Sequence, residues 1–253
     1  MSTPSWVIHS EKETLVRRLH LIAVLAAVST MTLLLGISSV SADQTATYRV
    51  TITNLTDGQP MTPALVATHK GNDELFTVGA LASLGLKEIA ENGNLEPLFN
   101  EASGDDSFDA VVIETGAGVP PIMPGETITF ELGSGSPFNF LSWASMLICT
   151  NDGFTGVDTL KLPNQPGQVI SVTTQGYDAG TEDNTELFAD IVPPCGPLTG
   201  QDSAGQGTGS SDPALAENGV IHHHDGILGI GDLDAGVNDW VNPVAMITVE
   251  RTS

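Results

Sequence analysis

The chain has 253 residues, with 8 Lys and Arg against 31 Asp and Glu and a formal net charge of −23 at pH 7. So few cations cannot build a basic patch that neutralises a run of phosphates, which excludes nucleic acid as a partner. Cations and basic surfaces are the partners such a charge favours.

Lys12, Arg17 and Arg18 precede an apolar run from Leu19 to Ile37, which closes on Ser38-Ser39-Val40-Ser41-Ala42-Asp43. A basic n-region, an h-region and a small-residue cleavage site predict a secretory signal over residues 1–42, cut after Ala42. An uncleaved anchor is the competing reading, because the run approaches spanning length. Ser29, Thr30, Thr32 and the small residues at its end favour cleavage. The expected product is a secreted chain, extracellular or periplasmic, with one domain over residues 43–253 and no membrane span.

Tyr48 to Asn54 alternates apolar and polar residues and predicts a half-buried strand. Asn54-Leu55-Thr56 is a glycosylation sequon if the source is eukaryotic. A Pro-containing extended stretch follows, from Gln59 to His69. Ala82, Leu86, Ile89 and Ala90 share a face at helical spacing, so a helix is predicted over about Ala80–Asn92, stopped by Asn92-Gly93. A weaker helical piece covers Leu95–Glu101. Strand patterns then recur at Ala110–Ile113, Thr127–Leu132, Leu141–Cys149, Thr159–Leu162, Val169–Thr174, Glu186–Ile191 and Ala245–Glu250, separated by Pro- and Gly-rich punctuation. Leu141–Cys149 is apolar on both faces and should be a central strand. Thr199–Asp212, rich in Gly, Ser and Gln, reads as a flexible loop. The fold class is mainly β, an antiparallel β-sandwich or barrel with one short α-helix.

Cys149 and Cys195 are the two cysteines. In an exported chain they most simply form one disulfide, worth roughly 3–4 kcal/mol by loop-closure entropy; free buried thiols are the alternative.

Three clusters carry candidate chemistry. Tyr177-Asp178-Ala179-Gly180-Thr181-Glu182-Asp183-Asn184 follows a strand and gathers acidic side chains around a glycine. Asp178 and Glu182 can then be aimed at one point, where a hard cation, calcium before magnesium, would relieve their repulsion. A solvated acidic turn is the plainer reading of this stretch alone. Thr150-Asn151-Asp152-Gly153, after the core strand, is ordinary turn sequence, yet Asp152 would join Asp178 and Glu182 if both loops meet at one sandwich edge. His222-His223-His224-Asp225 is the third cluster: His222 and His224 share a strand face and offer, with Asp225, a zinc or copper site. A polar surface segment is the alternative. No nucleophile elbow, phosphate loop or dinucleotide fingerprint appears.

Several stretches in order resemble the spondin domain, the N-terminal module of the F-spondin and mindin family. They are Tyr48–Thr53, Ala67-Thr68-His69, Gly79–Gly93, Leu141–Leu147 with Asn151–Asp158, Tyr177–Glu182 and Val244–Arg251. The resemblance implies a β-sandwich similar to calcium-dependent lipid-binding domains, with Ca²⁺ at one end and Asp152, Asp178 and Glu182 on the ligand positions. Glu182 stands where the family usually has Asp, one methylene shorter. The expectation is a non-catalytic calcium-binding domain acting in adhesion or matrix interaction, with an extracellular protein or glycan partner. The alternative is a secreted metalloenzyme or transition-metal protein using His222, His224 and Asp225.

Overall fold

A computed structural model describes residues 45–253 apart from 117, 119, 202–206 and 208. The expected signal and its cleavage point lie outside the described residues, and the 199–212 loop lies partly outside them. Among the described residues no helix is long and apolar enough to cross a membrane.

Among the described residues ten strands form two antiparallel sheets packed as a sandwich. They are β1 (Ala46–Asn54), β2 (Ala64–His69), β3 (Phe108–Glu114), β4 (Thr127–Ser134), β5 (Phe140–Met146), β6 (Gly153–Lys161), β7 (Val169–Thr174), β8 (Gly176–Asp178), β9 (His222–His223) and β10 (Ala245–Arg251). One sheet runs β4-β1-β10-β7 and the other β3-β2-β5-β6-β8-β9. In the first, Ile52 faces Ile128 on one side and Ile247 on the other, while the preceding residue, Thr51, faces Thr129 and Thr248. That period of two sends the isoleucines into the core and the hydroxyls to the outer face. β5 is central and fully buried from Leu141 to Met146, as its two-sided apolarity predicts.

The helix expected from Ala80 begins later, as α1 (Leu84–Asn92). Gly79 N–H and the Ala80 carbonyl are committed to Ile221, so this backbone cannot enter a helical ladder. Ser83 caps α1 by accepting from Leu86 N–H, and Glu101 accepts from Gly85 N–H. Glu101 belongs to α2 (Glu96–Ser103), so the weaker helical pattern is real and serves the stronger one. Short helices α3 (Cys195–Thr199) and α4 (Ala235–Asn238) add to the single helix expected.

Glu186–Ile191 is not a strand. Glu186 sits at φ 55°, and its carbonyl and carboxylate are taken by backbone N–H groups of the 228–233 loop. β6 starts six residues before the predicted Thr159, because the turn after β5 is tight enough for Gly153 to pair at once. The Asn54 sequon is unusable. Asn54 is fully buried, its amide donating to the Gln59 and Ile122 carbonyls and its oxygen accepting from Thr56.

Candidate metal centre

The site is built where β5 turns into β6. Thr150 Oγ1 donates to the Leu147 carbonyl (2.6 Å) and accepts from Gly153 N–H (2.8 Å). A Cβ on Gly153 would lie 2.5 Å from that hydroxyl, so the turn requires glycine. Gln59 fixes the preceding residue: its Oε1 accepts from Cys149 N–H and its Nε2 donates to the Cys149 carbonyl. Cys149 is bonded to Cys195, confirming the expected disulfide. Asp152 is thereby held between a core strand and a cross-link, fully buried.

β8 brings the second loop against it, with Gly153 opposite Asp178. Gly180, at φ +68°, reverses the chain so that Thr181 N–H (2.7 Å), Thr181 Oγ1 (3.1 Å) and Glu182 N–H (3.0 Å) all donate to Asp152 Oδ2. Asp152 Oδ1 is buried with no hydrogen-bond partner. Asp178 accepts from Gly180 N–H through Oδ1 (2.7 Å) and from Asn184 through Oδ2 (2.6 Å).

The third carboxylate is one the sequence did not single out. Gly219 N–H donates to the Gly180 carbonyl and Asp183 N–H to the Leu215 carbonyl, laying the 215–219 loop on the acidic loop. Asp152, Asp178 and Glu217 each then offer an oxygen within 4.8 Å of the others, the one such group of three among the described residues. The only local signal was Glu217 preceding an Asn218-Gly219 turn, with nothing to say which loop it would meet. Glu182 is not in that group. Its backbone serves Asp152, while its side chain, buried, lies beside Glu91 and Asp190.

Electrostatics mark the same place. Burial, then the Asp178 charge, pushes Asp152 up to about 7, against the pull of the Thr181 and Glu182 N–H groups. Burial, then Glu91, Asp152 and Asp190, pushes Glu182 up to about 8, with Lys87 pulling the other way. Burial and the Asp178 charge also raise Glu217. Carboxylates that raise one another are relieved by a cation, and oxygen-only donors suit a hard one.

The histidines do not converge. His222 Nδ1 lies 3.7 Å from Asp178 Oδ1; burial alone would lower its pKa, but the Val220 carbonyl and the Asp178 and Glu217 charges raise it. His223 stacks on Tyr177. His224 is buried against Trp240, accepts from Gly226 N–H through Nδ1, and is lowered by burial. Asp225 is exposed. His222, His224 and Asp225 therefore form no common ligand set among the described residues.

A two-sheet antiparallel sandwich with a carboxylate cluster on the loops at one end defines the class of protein. The Spondin_N family model matches residues 53–190, more than half of the chain, and the chain belongs to that family. The match is shorter than the Tyr48–Arg251 span of the resembling stretches, and leaves out Cys195, Glu217 and β10. No curated protein matches the chain.

Proposed function

We propose that this protein is a secreted, non-catalytic calcium-binding module that acts in extracellular adhesion or matrix interaction, with Asp152 and Asp178 as ligands. One observation carries the reading: the fully buried Asp152 keeps one carboxylate oxygen without a partner beside the Asp178 and Glu217 carboxylates. A buried unpaired carboxylate is costly, and a divalent cation removes both the repulsion and the desolvation penalty. Bound calcium would pin the 150–153, 178–182 and 215–219 loops to each other, so an acidic or polar group of a protein or glycan partner meets a rigid surface. Family membership supports the adhesive role, and the disulfide supports an oxidising compartment reached through the signal over residues 1–42. The third ligand is Glu217 or, after a side-chain rotation, Glu182.

Calcium titration of the exported chain, followed by melting temperature and calorimetry, tests the reading. Calcium is expected to raise the melting temperature, and Asp178→Ala to abolish the rise. An unchanged melt at millimolar calcium overturns it.

A further inference from the structure

Glu182 faces a second feature that the calcium reading does not use. With Glu91, Asp190 and Asp212 it lines a cavity of about 200 Å³, walled by Ile191 and Val192. Glu91 is 4 % exposed, and one of its oxygens accepts from Lys87 Nζ. Its other oxygen, Oε2, is buried with no partner. The Glu182 carboxylate, equally buried, has no hydrogen bond among the described residues. Asp190 accepts from the Thr185 hydroxyl and Asp212 from Ala214 N–H, so these two are partly satisfied. Among the described residues Lys87 is the one cation bonded to this group. Arg49, Lys70 and Arg251 are bonded elsewhere.

The cavity has room for roughly six or seven water-sized volumes, more than a bare ion needs and less than a drug-sized ligand. Its carboxylates also do not bring three ligand atoms within 4.8 Å of one another, as the first cluster does. Anionic acceptors that do not converge on one point, in a lining that also holds Ile191 and Val192, fit a cation that carries its charge on a multi-donor head and has a methylene stem.

We propose that this cavity binds a cationic nitrogen group, a guanidinium or alkylammonium, with Glu91 Oε2 and the Glu182 carboxylate as acceptors and Ile191 and Val192 against the stem. The group belongs either to a basic side chain of a partner protein or to a free small amine. The proposal does not rest on the calcium reading.

Calorimetric titration of the exported chain in EGTA tests it with three probes: agmatine, acetyl-Gly-Arg-Gly-amide, and the same peptide with neutral citrulline in place of arginine. At least one cationic probe is expected to bind at least roughly tenfold more tightly than the citrulline peptide, a difference of about 1.4 kcal/mol or more. Binding of agmatine alone assigns the pocket to free amines; binding of the arginine peptide assigns it to a basic side chain. Glu91→Gln is expected to weaken binding at least roughly tenfold. Asp190→Asn, at a half-buried position, is expected to weaken it less and keeps the test available if Glu91→Gln does not fold. Equal binding of the citrulline peptide, no binding of either cation, or unchanged affinity in the variants overturns the proposal. So does calcium that competes one-for-one with the probe in Asp178→Ala, which would make this an inorganic cation site.

Discussion

Asp152→Asn removes one charge from the candidate centre while keeping an oxygen for the three donors on Oδ2. In the metal-free fold the Asp152 carboxyl is pushed from 3.8 up to about 7. A raised acid pKa means that the folded state still holds the proton over the window from about pH 4 to pH 7, where the unfolded chain has lost it. Stability from this group is therefore fully present below the unfolded pKa and is lost as pH rises through the folded one. A rise of about three units at roughly 1.4 kcal/mol each puts the cost of ionised Asp152 at roughly 4 kcal/mol, as an upper bound, by pH 8. Asn does not ionise, so in EGTA at pH 8 the variant is expected to gain about 2 kcal/mol or more, or about 5 °C in melting temperature. At pH 5, about one unit above the unfolded pKa, the gain should shrink to roughly 40 % of its pH 8 value. Glu182, pushed up to about 8 for similar reasons, leaves some pH sensitivity of the same sign in the variant. With calcium present the order should reverse, because only the wild type gains a ligated cation. Thermal melts by circular dichroism at pH 5, 6.5 and 8, with EGTA or calcium, read all of this. A variant less stable than wild type by the same amount at pH 5 and pH 8 refutes the reasoning.

The remaining predictions concern the loops around that residue. Glu217→Gln should weaken calcium binding at least roughly tenfold, about 1.4 kcal/mol, and Glu182→Gln less; calorimetry giving the opposite order would make Glu182 the third ligand. Gly180→Ala places a methyl 2.6 Å from Val220 N at φ +68°, and urea unfolding should show a loss of more than about 1 kcal/mol. Cys149→Ser with Cys195→Ser opens a cross-link spanning 46 residues. It should cost roughly 4 kcal/mol by chain entropy and lower calcium affinity, because Asp152 lies three residues after Cys149 in the same turn. Equal calcium affinity with and without the cross-link would show that Gln59 and Thr150 alone hold the turn.

Most of the sandwich is legible because its strands obey a period of two. Tyr48–Asn54 reads correctly from alternation and Val169–Thr174 as a β-type run, while Leu141–Cys149, which the structure ends at Met146, reads from its lack of alternation, which marks burial on both faces. Misreadings fall where backbone groups are claimed by distant residues. Ala80 is tied to Ile221, which delays α1. Glu186 is tied to the 228–233 loop, which turns an apparent strand into an irregular segment. The two shortest strands, β8 and β9, exist only because they pair with each other and with β6, and neither has a pattern long enough to read.

The chain by itself determined the class, the acidity, the cysteine pair and the two aspartates worth watching, Asp152 and Asp178. Residue type and near-neighbour spacing carry that information directly. Only the tertiary structure decided which carboxylates meet. Glu217, far along the chain, reaches Asp152 and Asp178 through loop-to-loop hydrogen bonds, while the nearer Glu182 turns towards Glu91. Side-chain direction in a loop follows from what packs against that loop, and that partner is not written in the loop's own sequence.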